Sequence, residues 1–173
     1  MRKLNILKTI VDIIFIITIP LMLSCIAIAI GVFFIDFTDL SFIDIELIID
    51  SENYNPKDLF SNILISISTI NYLLLIAAFY IFRKVLYHFL RVKIFEDYVI
   101  NSFLKIGNLI IISAIISIVL SFVSNLYYYK SGITFEIGSN ENVMNICLGL
   151  FFLVLSEIFK IAKNAKQEND LTI

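Results

Sequence analysis

Long apolar runs alternate with short polar stretches along this chain, and the alternation predicts its elements. Apolar residues dominate from about 9 to 35, 59 to 82, 105 to 128 and 143 to 162. At 1.5 Å per residue, about 20 residues of helix cross the roughly 30 Å hydrocarbon core of a bilayer. The runs therefore predict four transmembrane helices. Phe95-Glu96-Asp97 places acids where a helix N-terminus favours them, and Val99, Phe103 and Ile106 follow at helical spacing. The third helix is accordingly expected to begin near Glu96 and run into its span. Residues 42–49 (FIDIELII) have a different period. Ile43, Ile45, Leu47 and Ile49 fall on one face, with Asp44 and Glu46 on the other, as in a half-buried strand. Asn53-Tyr54-Asn55-Pro56 reads as turn chemistry that ends it. Ile133, Phe135 and Ile137 alternate with Thr134 and Glu136, bracketed by Gly132 and Gly138. This second strand is expected to pair with the first in a small ribbon resting on the helix ends.

Composition narrows the class. The 173 residues are 60% hydrophobic, with a mean hydropathy of +0.94, whereas soluble domains lie near 45–50% apolar. Five glycines and two prolines leave little room for a linker or a second domain. The expected fold is an all-α integral membrane protein: one domain, 1–173, forming a four-transmembrane-helix bundle with a small extracellular two-stranded β-ribbon. The first run is about twice the length of a signal-peptide core. Leu23-Ser24-Cys25 hints at a lipoprotein cleavage box, but IAIAIGVFFI follows it where a polar tether would be needed. A retained first helix is expected, with a kink at Pro20, which lacks a backbone donor.

Charge then orients the bundle. Arg2, Lys3 and Lys8 precede the first run; Arg83, Lys84, Arg91, Lys93 and Lys105 lie in the hinge 83–104 or just past it; Lys160, Lys163 and Lys166 end the chain. The two other loops, 36–58 and 129–142, carry only Lys57 and Lys130, but hold Asp36, Asp39, Asp44, Glu46, Asp50, Glu52, Asp58, Glu136 and Glu141. Cytoplasmic loops collect Lys and Arg. Both termini, the hinge and the tail 163–173 are thus expected in the cytoplasm of a bacterial inner membrane, with the acidic loops outside.

Candidate chemistry is sparse. Asp12 and Glu157 are carboxylates inside apolar runs, and intramembrane acids often mark ion routes. Lys8 and Lys160 lie four and three residues away, so each acid is better read as a local pair on its own helix that snorkels outward. Ser113, Ser117 and Ser121 recur every four residues, with Ser124 close to the same line. This small-residue stripe suits close helix packing, either within the chain or in a homo-oligomer. Ser61, Asn62, Ser66, Ser68, Thr69 and Asn71 dot the second run and are expected to turn inward or bond to their own backbone. His88 sits among aromatic residues as an interfacial side chain. One His and two distant cysteines, Cys25 and Cys147, do not supply a metal site; the thiols read as buried packing residues, and no cofactor is expected. HExxH, CxxC, GxSxG and phosphate-cradling motifs are missing, so no enzyme is expected. Nor is direct nucleic-acid binding, since no basic face exists outside the hinge and tail.

Phe95, Val99, Lys105, Ile106 and Gly107 before the third span, together with Ser156-Glu157-Ile158-Phe159 and the ending Glu168-Asn169-Asp170-Leu171-Thr172-Ile173, resemble the bacterial membrane family known as domain of unknown function 2975. The resemblance covers most of the chain and is most specific at the hinge and the C-terminus. It implies a small four-span protein without established activity, often encoded beside a helix-turn-helix regulator of the Cro type. The function expected is non-enzymatic: a regulatory, sensing or protective module whose tail (Glu168, Asn169, Asp170, Leu171, Thr172) and hinge meet a cytoplasmic regulatory protein. The hinge helix after Phe95 is less basic than the family's usual pattern. The alternative is a small oligomeric transporter or channel that uses Asp12 and Glu157.

Overall fold

The computed structural model describes residues 2–35, 47–49, 52–54, 59–91, 94–128 and 140–171. Four helices dominate: α1 Arg2–Ile35, α2 Leu59–Leu90, α3 Asp97–Tyr128 and α4 Asn140–Leu171. Each is longer than the apolar run that predicts it. Neither 83–90 nor 163–171 contains Gly or Pro, so nothing in the sequence stops the backbone ladder where the apolar run ends. The start of α3 agrees with the expectation. The Glu96 carbonyl accepts from the Val99 and Ile100 amides at 3.0 and 3.3 Å, and Asp97 stands in the first turn. Helix α1 continues through Pro20.

Strand β1, Leu47–Ile49, pairs antiparallel with β2, Glu52–Tyr54, in the register Leu47 to Tyr54, Ile48 to Asn53 and Ile49 to Glu52. This corrects the reading of Asn53 and Tyr54 as the turn that ends a strand: they belong to the return strand. A partner three residues onward closes a much shorter loop than one beyond two further helices. The expected partner, 133–137, lies outside the described residues.

Side-chain bonds between helices fix the topology. Arg83 of α2 reaches Asp12 of α1, Lys163 of α4 reaches Asp97 of α3, and Ser156 of α4 reaches Ile100 of α3. The start of α1, the end of α2, the start of α3 and the end of α4 therefore share one end of an up-down-up-down bundle, called the basic end below. The core lies there, between α2, α3 and α4: Ala78, Val85, Val99, Phe103, Ile106 and Ile110 are buried, and Phe82, Phe89, Phe152 and Phe159 pack against them. Helices α2 and α4 run parallel, and their phenylalanines meet in register. The Phe82–Phe152 and Phe89–Phe159 ring centroids are each 5.9 Å apart. Seven residues separate the members of each helix's pair, which returns them to one face. A second cluster, Leu64 and Ile65 with Phe60, Leu120 and Val123, joins α2 to α3 toward the other end.

Helix α1 packs on α2 and stands outside this core. Val11 is its one buried side chain among those described, while twelve of its leucines and isoleucines from Ile6 to Ile30 are over 40% exposed. All four helices are long and apolar enough to cross a membrane.

Candidate functional site at the basic end

Polar chemistry gathers at the basic end because the chain returns there repeatedly with its charged residues. Asp12, nearly three turns into α1, is 26% exposed and accepts a hydrogen bond from Arg83 Nε; Lys8 Nζ lies 3.8 Å from its other oxygen. The Arg83 guanidinium also lies 5.0 Å from the centroid of the Phe15 ring, an attraction to the ring's negative face. The local Lys8 pair was legible in the sequence. Arg83, the closer partner, is 71 residues away, and the available signal was its similar distance from its own helix end.

Glu157 has a different setting. Its side chain is 64% exposed on the outside of α4, with Lys160 Nζ at 3.8 Å. No ion pair or hydrogen bond joins Asp12 to Glu157; each has its own basic partner. Two carboxylates on separate faces do not make a shared proton site.

Of the serine stripe, Ser113 is buried, Ser117 and Ser121 are half-buried, and Ser124 is buried and donates to the Ser121 carbonyl at 3.2 Å. The closest helix approach lies elsewhere. A methyl group placed on Gly107 would stand 2.8 Å from the Gly149 carbonyl oxygen and 2.8 Å from Leu153; one placed on Gly149 would stand 2.5 Å from Ile111. Glycine is what lets α3 and α4 cross here. Two glycines within predicted spans were the overlooked signal. Further along α4, the buried Ser156 hydroxyl donates to the Ile100 carbonyl at 2.9 Å, so a residue quoted only for its family resemblance is a helix–helix bond. In α2, Ser66 and Thr69 bond back to the Asn62 and Ile65 carbonyls, both at 2.9 Å, as expected. The Asn62 and Asn71 side-chain oxygens are buried without a hydrogen-bond partner.

The tail is a continuous helix. From residue 164 to 170 every side chain is exposed, including Glu168, Asn169 and Asp170; Leu171 ends α4 and Thr172 lies outside the described residues. Lys163 Nζ sits 2.6 Å from Asp97 Oδ1 and ties this extension to the start of α3. An open groove of about 320 Å³ lies beside the pair, lined by Ile94, Phe95, Glu96, Lys163, Lys166, Gln167 and Asp170. Phe95 also faces Phe159, with centroids 6.1 Å apart.

The cysteines differ from expectation: Cys25 is half-buried and Cys147 exposed, and both are free. Cys147 stands on a helix face that the bundle leaves uncovered and Cys25 on one that it covers in part, so helical position overrides the general tendency of thiols to be buried. Among the described residues, no His, Cys, Asp and Glu side chains group as a metal site.

Four long apolar helices around a small interior define a multi-pass membrane protein. The chain belongs to the family described as "Protein of unknown function (DUF2975)", whose model matches residues 19–173. The match takes in α2, α3 and α4 whole and begins within α1, after Asp12. Comparison with curated proteins and with solved structures finds no match.

Proposed function

We propose that the chain is a non-enzymatic regulatory, sensing or protective module of a bacterial inner membrane, and that the end of α4 engages a cytoplasmic protein partner. The basic end lies in the cytoplasm on this reading, by the segregation of lysines and arginines to the termini and hinge. The observation that carries the proposal is the polar continuation of α4. It extends past its last packed aromatic residue, Phe159, as an exposed helix, held by Lys163 to Asp97 beside a groove with both apolar and charged walls. An exposed helix flanking a groove offers a partner both a face and a slot. In-cell crosslinking from probes in the tail, read by mass spectrometry, tests this. A soluble protein captured by the full chain and lost when residues 166–173 are deleted is the expected result. Self-crosslinks alone would sink it.

A second reading is an oligomeric transporter or channel, favoured by the exposure of Glu157 on the outside of α4, where only another subunit would cover it. Four spans leave little room for a path within one chain. Ion flux in liposomes that disappears in Asp12→Asn and Glu157→Gln would support this reading; flux unchanged by both substitutions would end it.

A further inference from the structure

The outer face of α2 at the basic end carries a stripe that neither the core nor the tail uses. Tyr80, Lys84, Tyr87, His88 and Arg91 follow at spacings of four, three, one and three residues, so they share one side of the helix. They are built into a collar. Lys84 Nζ lies 4.4 Å from the centroid of the Tyr80 ring. The Arg91 guanidinium lies 4.3 Å from that of Tyr87 and donates to its hydroxyl. Lys8 reaches over from α1 to the same Tyr87 ring, at 5.5 Å. His88 stacks on Tyr98 of α3 at 4.4 Å, with Nδ1 3.0 Å from the Lys84 carbonyl. Three helices thus contribute.

The charges of this collar are not balanced. Arg83 is engaged by Asp12, and Lys163 by Asp97 on the tail side. Among the described residues, no carboxylate pairs with Lys84 or Arg91. An aromatic ring attracts a cation without cancelling its charge. Lys84, Tyr80, Tyr87 and Arg91 are all exposed, so two cations, each held on its own ring and about 10 Å apart along the helix, face outward on one side. Alongside the collar, on the neighbouring helix, runs the exposed apolar wall of α1, which includes Ile10, Ile13, Ile14 and Ile17. Anion receptor and hydrocarbon surface are contiguous.

We propose that this collar binds the phosphates of anionic phospholipids in the leaflet at the basic end, their acyl chains lying along α1 and α2. Arg91 and Lys8, which share the Tyr87 ring, meet one phosphate and Lys84 on Tyr80 a second, as charge-assisted donors, and the tyrosine hydroxyls add neutral ones. The rings hold the cations in place beforehand, so little side-chain freedom remains to be lost on binding. A lipid is the one occupant that supplies both the anion and the hydrocarbon. Free phosphate would leave the isoleucine wall uncovered. The inference requires a membrane protein but not the proposed cytoplasmic partner.

Native mass spectrometry of the detergent-purified full chain tests it, with titrations of dioleoyl-phosphatidylglycerol, dioleoyl-phosphatidylcholine and inorganic phosphate. The wild type should prefer phosphatidylglycerol. Each cation should contribute about fivefold, so Lys84→Gln with Arg91→Gln should lower that preference by about thirtyfold, and Arg91→Gln alone by about fivefold. Both side chains are exposed, and melting in phosphatidylcholine micelles checks that the variants fold. Lys105→Gln with Lys166→Gln removes the same charge elsewhere and should leave the preference intact. Equal binding of the two lipids by the wild type would overturn the proposal. So would a preference lost equally in the control pair, or one kept by the double variant. Displacement of phosphatidylglycerol by phosphate alone would assign the site to a free anion and equally overturn it.

Discussion

Helices α3 and α4 touch through their backbones, while α1 is held to α2 by one buried valine, the Phe15 ring against Phe79 and Tyr80, and an ion pair. Between α3 and α4, Gly107 and Gly149 remove the side chains that would keep the helices apart, and Ser156 adds a bond across the seam. On α1, Gly31 has nothing within 4 Å of the place a methyl would take. Lipid tails are as apolar as leucine, so burying leucine between helices in a bilayer gains little. What remains is close van der Waals contact, used by α3 and α4, or polar attraction in a low dielectric, used by Asp12 and Arg83. The first gives a seam that tolerates no added atoms. The second gives a docked helix that depends on one charge.

The largest expected effect contrasts the glycines. Gly107→Val should force the seam apart and lower stability by about 2–3 kcal/mol, read by denaturant titration in micelles. Gly31→Ala meets open space and should leave stability unchanged or raise it by up to about 1 kcal/mol. If both substitutions are equally harmless, the α3–α4 crossing is not at Gly107.

Next comes the charge on which α1 depends. Arg83→Gln leaves Asp12 with only Lys8, at 3.8 Å. Breaking a buried pair costs about 3–5 kcal/mol. This one is 26–37% exposed, so about 1–2 kcal/mol is expected after discounting for screening. The loss should fall on α1: its amides should lose protection from hydrogen exchange while those of α3 and α4 keep theirs. Asp12→Asn on the Arg83→Gln background should restore part of the protection, since it removes the uncompensated charge. A uniform loss over all four helices would show that α1 is as integral as the seam.

The same contrast explains what could be read from the chain. The four spans were legible because hydropathy is local, and the start of α3 because Glu96 and Asp97 mark it within a few residues. The Asp12–Arg83 pair was not, since it depends on where two separate helices dock. Gly107 and Gly149 became a crossing point only once the register of α3 on α4 existed. The Phe82/Phe89 and Phe152/Phe159 spacings were present in the sequence, but a heptad pair gives a face and not its partner. The tail was read as polar and therefore as a tail; Ala, Lys, Gln and Glu between 162 and 168 are strong helix formers, and propensity there outweighed polarity.

The smallest effect separates the two cross-helix ion pairs. Lys163 and Asp97 make a 2.6 Å contact, but the Asp97 side chain is 76% exposed. Water and salt reach it, and exposed pairs contribute about 0–1 kcal/mol. Lys163→Gln should therefore lower global stability by no more than about 0.5 kcal/mol. It should instead raise hydrogen exchange along 164–170, the segment that the pair ties to the start of α3. At about 1 M salt, where the screening length falls to roughly 3 Å, the wild-type tail should exchange like the variant, whereas protection of α1 by Asp12 and Arg83 should persist. A tail that keeps its protection in high salt would mean that Phe95 against Phe159, and not the charge, holds the end of α4. The difference between the two ion pairs would then lie in what surrounds them rather than in their exposure.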